Sequence, residues 1–168
     1  MARGRLTVTG FDNRGRNIFL KNGDAVGDGP AGIPLWEIPQ VPPPMDADGS
    51  RQVLDIMPPR RGLSFQYLSI VPNTRLHGRE YRPEDYHETD TIDLITMISG
   101  EVWMMLEGDP EGVLLKAGDV LVQRGTSHLW HNKGIEPAVF TVVLVAGERT
   151  EKTPRATSGA RSVPARKE

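Results

Sequence analysis

His87-x-Thr89-x3-Asp93-x6-Gly100, followed by Gly118-Asp119 and Gly125-x2-His128-x3-Asn132, is the stretch whose reading decides the fold. Between the two blocks lies a short apolar strand pair, Glu101 to Leu106 and Val113 to Leu115, joined by the turn-rich Glu107-Gly108-Asp109-Pro110-Glu111-Gly112. Residues two apart on a strand share a face. His87, Thr89, Thr91 and Asp93 therefore point one way, and the apolar Ile95 and Met97 continue that face. A polar end running into an apolar end is the pattern of a half-open barrel interior. In the second block His128 and Trp130 share a face, while His131 takes the other and reads as a surface or inter-sheet histidine.

Working outward, apolar segments recur at short spacing with glycine turns between them. Leu63 to Val71 alternates, with Phe65, Tyr67 and Ser69 on one face. Val120-Leu121-Val122 and Ala138 to Val145 are further strands, and no stretch holds a helical period. Such spacing marks an all-β sandwich or barrel. The 18 Gly and 14 Pro agree with frequent turns. Leu6 to Val26 reads as a β-hairpin about Asp12-Asn13-Arg14-Gly15. Gly27 to Pro34 reads as loop, Pro42-Pro43-Pro44 as extended polyproline, and Pro72 to Tyr86 as a polar loop. The expected organisation is an N-terminal hairpin and Pro-rich extension over 1–62, a barrel over 63–148 and a disordered basic tail over 149–168.

Composition narrows the function classes. With 38% apolar and 25% charged residues the chain can bury a core in one domain. It has no cysteine, hence no disulfide, thiolate ligand or Cys nucleophile. No apolar run approaches the ~20 residues of a membrane helix, and no signal core follows Met1, so the expected location is cytoplasmic with no membrane partner. Arg149 to Glu168 holds six basic and two acidic residues, which leaves the first 148 at a net −6. An acidic body argues against nucleic acid as the partner. There is no P-loop, no dinucleotide fingerprint and no Gly-x-Ser-x-Gly elbow, so no nucleotide cofactor is expected.

The paired blocks resemble the two motifs of the cupin superfamily, in its small single-domain conserved-barrel form. The resemblance covers about residues 63 to 146. It implies a double-stranded β-helix, or jelly-roll barrel, and a homodimer. It also implies a metal site built from His87, Asp93 and His128, two imidazoles and a carboxylate suited to Fe, Mn, Ni or Zn. Two positions depart from the family pattern. Thr89 stands where the family has a second histidine, and a hydroxyl ligates these metals poorly. Asp93 stands for a glutamate and is shorter by one methylene, about 1.5 Å of reach. The resemblance makes Gly100, Gly118 and Gly125 turn glycines, and Asp119 and Asn132 read as turn residues.

Function is then expected to lie in small-molecule metabolism, on a carbonyl, carboxylate or aromatic, polyketide-like substrate. One reading is a divalent-metal enzyme: a dioxygenase, lyase, dehydratase or isomerase. A second is a metal-free acid/base enzyme in the same pocket, and a third is a non-catalytic binder of a small metabolite. His128, His77 and Tyr67 are the candidate proton-moving groups. Thr89, Thr91, Met97, Trp130, Phe65 and Met105 are the candidate pocket wall, with Arg124 a candidate anchor for a substrate carboxylate.

Overall fold

The computed structural model describes residues 5–11, 16–24, 32–51, 55–153, 155–156 and 159–163. Alternation of apolar and polar side chains produces its strands. Along β6 (Thr91–Ser99) Thr91, Asp93, Ile95 and Met97 are buried and the residues between them exposed. Along β11 (Ala138–Ala146) Ala138, Phe140, Val142 and Leu144 are buried. β11 pairs antiparallel with β6 on one side and with β4 (Leu63–Ile70) on the other, so that Phe140 sits between Met97 and Leu68. Adding β3 (Gly32–Ile38) beyond β4 and β9 (Val120–Arg124) beyond β6 completes a five-stranded sheet of order β3-β4-β11-β6-β9.

A second five-stranded sheet has the order β12-β5-β10-β7-β8. It is formed by β5 (His87–Thr89), β7 (Glu101–Leu106), β8 (Asp109–Lys116), β10 (His128–His131) and β12 (Arg161–Val163). The two sheets close on one apolar core. Met97, Phe140, Val142 and Leu144 of the first sheet meet Val102, Met104 and Leu115 of the second, with Trp130 packed against them. Truncating a fully buried aromatic such as Phe140 to alanine costs about 3–5 kcal/mol by cavity formation. Gly100 turns the chain between β6 and β7 at φ 71°, where a Cβ would stand 2.7 Å from the Pro137 carbonyl oxygen, so only glycine fits.

The first sheet begins earlier than expected. Gly32-Ile33-Pro34, read as the end of a loop, is the start of β3, and Ile33 and Leu35 are buried against Phe65 and Tyr67. The N-terminal hairpin is present as β1 (Arg5–Phe11) and β2 (Asn17–Asp24) in a separate two-stranded sheet; its expected turn at 12–15 lies outside the described residues. The outer face of the second sheet carries its own small core. Leu76 and Tyr86 of the 72–86 segment cover Met105 and Leu129 there.

The C-terminal segment departs most from expectation. Its described part is folded onto the barrel. β12 pairs parallel with β5, Arg161 against His87 and Val163 against Thr89. The reason is charge. Arg155 bonds Glu88 at 3.1 Å and Asp90 at 2.7 Å, and Arg149 bonds Asp90 at 2.6 Å. Glu88 is buried and also accepts the Ala156 backbone N–H at 2.9 Å. The basic residues of the tail thus supply the counter-charges for two carboxylates of the barrel. Among the described residues no helix is long and apolar enough to cross a membrane.

Candidate active site

The polar end of the barrel is built where β5 turns into β6 and β9 turns into β10. The stretch from His87 to Ser99, expected as one long strand or two joined ones, is two strands. It breaks at Asp90, so β5 lies in the second sheet and β6 crosses to the first. Gly125 makes the other corner at φ 59°, with a Cβ position only 3.0 Å from the Thr89 carbonyl oxygen. The two corners therefore touch. The Arg149 guanidinium ties them together, donating to the carbonyls of Thr89 at 3.2 Å and Gly125 at 3.0 Å.

His128 lies opposite His87 in antiparallel register, their rings 4.2 Å apart and tilted by 52°. The bonds at one nitrogen set the tautomer of His128. Its Nδ1 is 2.9 Å from the Thr126 carbonyl oxygen, which can only accept, so Nδ1 carries the proton. The amide nitrogen of Gln123 donates to the same carbonyl at 3.1 Å and stands 3.2 Å from that Nδ1. Nε2 is left as the unprotonated nitrogen. Burial holds His128 below the usual imidazole range, with the Thr126 bond pulling the other way. Burial pushes His87 down to about 3, helped by the neighbouring His128. Both rings are thus neutral at physiological pH.

Asp93 comes to this end from the first sheet. Burial pushes its carboxyl up to about 6, against the stabilising hydrogen bond of Thr91. The Thr91 hydroxyl is in turn 2.7 Å from that of Thr89. Both threonines line a cavity of about 260 Å³ with Arg124, Gly125, Arg149 and Thr153. Trp130 stands edge-on to His128 at 5.9 Å and stacks near Phe140 at 5.2 Å, so an apolar floor begins beneath the polar end.

The donor set does not fit a resident metal. Among the described residues no three His, Asp or Glu side chains gather as a group able to hold an ion. His87 and His128 face each other within one sheet, while Asp93 belongs to the other and has Gln123 as its cross-strand partner. Thr89, buried and bonded to Thr91, fills the position where a further imidazole would be needed. His87, Asp93 and His128 are thus not gathered as a three-ligand group among the described residues.

Of the other expected site residues, Thr89 and Thr91 line the cavity and Met97 and Trp130 face the barrel interior. Arg124 lines that cavity from the outward face of β9, in phase with the exposed Val120 and Val122, and neither His128 nor Asp93 is part of the lining. Four do not belong there. Tyr67 and Phe65 share a face, but it is the outer one, where they pack on Ile33 and Leu35. The inner face of β4 is that of Gln66 and Leu68, which pair with Val142 and Phe140. Met105 packs outside the second sheet with Leu76, Tyr86 and Leu129, since the inward residues of β7 are Met104 and Leu106. His77 is exposed and lies beside His131, ring centroids 5.2 Å apart, on that same outer side. His131 is buried, and its Nδ1 is 2.5 Å from the Tyr81 hydroxyl.

Two functional residues were missed. Gln123 is in phase with the inward Leu121 while Val120, Val122 and Arg124 are exposed, so β9's alternation carried the signal. Arg149 had no such signal, because a charge in a polar segment reads as solvated.

No family model matches the chain. It is 47% identical over 76 residues to a phomopsin biosynthesis cluster protein C′ of Diaporthe leptostromiformis, a match covering 40% of this chain and 40% of the relative. It is 49% identical over 47 residues to oryzines biosynthesis cluster protein J of Aspergillus oryzae, covering 28% of this chain and 26% of the relative. The matches thus span two fifths or less of those relatives' lengths. Among solved structures, the cupin_2 domain of an XRE family transcriptional regulator from Enterobacter cloacae superposes with a TM-score of 0.38 at 21% identity, over 51% of this chain and 83% of that one. The strand topology is the deciding observation: two facing five-stranded sheets, with His87 and His128 in register at one end and Asn132 closing the turn beyond β10. The barrel is a double-stranded β-helix, the fold expected from the paired blocks. Within it Asn132 ties Ile70 and Glu136 through its amide at 2.8 Å each, and Asp119 accepts the Lys116 N–H at 2.7 Å, both as turn residues.

Proposed function

We propose that this cupin is an enzyme of small-molecule biosynthesis whose chemistry is proton transfer by its own side chains: dehydration, isomerisation or decarboxylation of a carbonyl or carboxylate compound. The observation that carries the reading is the tautomer of His128, whose protonated Nδ1 is anchored on the Thr126 carbonyl. Its bare Nε2 is the base, removing a proton from the carbon next to the substrate carbonyl. The imidazolium formed keeps its Nδ1–H bond to Thr126, so no reorientation is needed. Asp93, with its carboxyl pushed up to about 6, is the acid that returns a proton to the substrate oxygen or carbon. Burial lowers the imidazole and raises the carboxyl, which favours the neutral form of each, one a base and the other an acid. The similarity to two biosynthesis cluster proteins supports a biosynthetic role.

We place the enzyme in the cytoplasm and read it as a homodimer. The outward faces of β6 and β9 present Ile92, Leu94, Val120 and Val122 to solvent, an apolar face that a second copy would cover. Light scattering of Leu94→Glu beside the unaltered chain tests it, with a monomer expected for the variant.

The test of the activity is a panel of 2- and 3-hydroxy and oxo acids followed by mass spectrometry, on protein exhaustively treated with chelator. Turnover is expected to survive the chelator and to fall about 1,000-fold in His128→Ala. Turnover that chelation abolishes and added Fe(II), Mn(II), Ni(II) or Zn(II) restores, or that His128→Ala leaves intact, contradicts the reading.

A further inference from the structure

His128 and Asp93 are sealed from solvent, at 3% and 6% exposure, and His87 is half-buried beside them. A substrate reaches them only when part of the wall moves. The wall is thinnest at β5. That strand is three residues long, and its pairing with β10 is the single position His87–His128. Its other edge is covered by β12, with Arg161 against His87, Ser162 against Glu88 and Val163 against Thr89. The same C-terminal segment walls the cavity at this end, where Thr150 and Thr153 join Thr89 and Thr91 in the lining. Thr91 in turn is hydrogen-bonded to Asp93.

What holds this segment differs from what holds the rest of the barrel. From Thr150 to Val163 none of its described residues is buried, and Ala160 packs only at the margin of the outer small core. The bonds that hold it are polar. Arg155, half exposed, bridges Glu88 at 3.1 Å and Asp90 at 2.7 Å. The Ala156 N–H donates to Glu88 at 2.9 Å, and the Arg161 N–H to the Tyr86 carbonyl at 3.0 Å. A segment with few buried contacts opens at far lower cost than a core strand. Opening does not strand a charge either. Arg149, 18% exposed, sits on the Thr89 and Gly125 carbonyls and contacts Asp90 at 2.6 Å and Glu88 at 3.5 Å. Both carboxylates thus keep a counter-charge when Arg155 leaves, which avoids the large cost of an uncompensated buried carboxylate.

We propose that the C-terminal segment beyond Arg149 is a lid, hinged at Arg149 and latched by Arg155 on Glu88 and Asp90, whose opening admits substrate to the His87–His128 end of the barrel. The two arginines divide the work by their placement. Arg149 is fixed to backbone carbonyls as well as to carboxylates and is the hinge. Arg155 touches side chains, and it also holds the Ser162 hydroxyl of β12 at 2.7 Å, so latch and strand leave together. Release frees the edge of β5 and takes Thr150 and Thr153 out of the cavity wall. Because the latch is half exposed, salt weakens it. This deepens the proposed function and rests on that reading for what passes the lid; the motion itself requires no chemistry.

Acylation by diethyl pyrocarbonate tests it, because the reagent attacks neutral imidazole and each of the 4 histidines is read separately by peptide mass spectrometry. His77, exposed, reports the reagent, and His131, buried on the outer face of the same sheet, reports general loosening. On the full-length chain His87 and His128 are expected to react far more slowly than His77. Arg155→Glu is expected to speed both about tenfold, through loss of the pairs and repulsion by the same carboxylates, and to leave His77 and His131 within about twofold. Raising salt from about 0.05 to about 1 M should speed them selectively in the unaltered chain as well. Rates at His87 and His128 that stay level with salt overturn the lid whether or not the variant folds, and so does a folded Arg155→Glu with unaltered rates. Rates that rise in step with that of His131 overturn it too, as does a His128 that reacts as fast as His77 in the unaltered chain. Selective opening in a protein with no turnover on any substrate sustains the lid while removing the acid–base reading, and turnover without selective opening removes the lid alone.

Discussion

β10 presents two buried histidines to opposite sides of one sheet, and they are opposites in chemistry. On the inner side, His128 Nδ1 gives its proton to a backbone carbonyl and keeps Nε2 bare. On the outer side, His131 Nδ1 is hydrogen-bonded at 2.5 Å to the Tyr81 hydroxyl, which burial keeps protonated and which can donate or accept. His131 Nε2 is buried without a partner. The same residue type, three positions apart, is a base on one face and a strut on the other. The difference lies in what holds Nδ1: a carbonyl that only accepts and so fixes the proton there, leaving a lone pair toward the site, or a hydroxyl that can play either part. A histidine's role is thus set by its second nitrogen.

The largest effect expected to separate the two faces is on activity. His128→Ala should lower turnover about 1,000-fold, while His131→Ala should leave it within a few-fold. Equal losses would erase the distinction. Activity should also fall with rising pH as Asp93 ionises at about 6, close to tenfold per unit above that, and Asp93→Asn should flatten the profile.

Stability should follow pH through the same groups. His87 has a folded pKa depressed to about 3, and that of His128 is depressed too, so below the usual 6.5 the unfolded chain binds more protons than the folded one, for His87 down to about 3. Their contribution to stability therefore grows as pH rises through that window, by up to about 1.4 kcal/mol per pH unit for each group. Asp93, with a raised folded value, acts oppositely between 3.8 and about 6. Denaturant unfolding from pH 4 to 7 should show a net rise that steepens in Asp93→Asn and weakens in His87→Phe. A fall in stability across that range would contradict neutral, buried imidazoles.

Smaller effects concern the surroundings. Arg149→Ala removes the clamp between the two corners and a counter-charge of Asp90 and Glu88, at about 1–3 kcal/mol. The charge-retaining Arg149→Lys cannot bridge both carbonyls and should recover only part of it. On the outer face, Tyr81→Phe should cost about 1 kcal/mol without touching turnover at the barrel. Thermal unfolding beside turnover distinguishes these: a loss of activity in Tyr81→Phe would mean that the two faces are coupled.

Much of this arrangement was legible in the sequence. Strand alternation placed Thr91, Asp93, Ile95 and Met97 on one inward face, and β6 has that pattern. The glycines at 100, 118 and 125 all have positive φ, as their turns require. What period two cannot tell is which of two faces is the inner one. Phe65 and Tyr67 were grouped correctly and put on the wrong side, because β4 is covered outside by Ile33 and Leu35. Met105 and His77 failed for the same reason: a second small core beneath the 72–86 segment makes the outer face of that sheet apolar too. The break at Asp90 has no strong turn residue to announce it, so the sequence leaves open one long strand or two joined ones where the chain changes sheets. The ligand set inferred from resemblance required side chains to converge, which spacing alone does not ensure. The tail's order depends on Glu88 and Asp90, more than sixty residues upstream of Arg155, a pairing no local pattern encodes.

The measurement that tests the central claim most directly is the tautomer of His128, read from long-range proton–nitrogen correlations of the ring in isotope-labelled protein, with Gln123→Met as a check on the assignment. The account predicts a neutral ring protonated at Nδ1 from pH 5 to 8, with Nε2 bare and unchanged on addition of equimolar Zn(II). A ring protonated at Nε2, or an Nε2 signal that shifts with stoichiometric zinc, would contradict it: the first removes the base, and the second makes His128 a metal ligand.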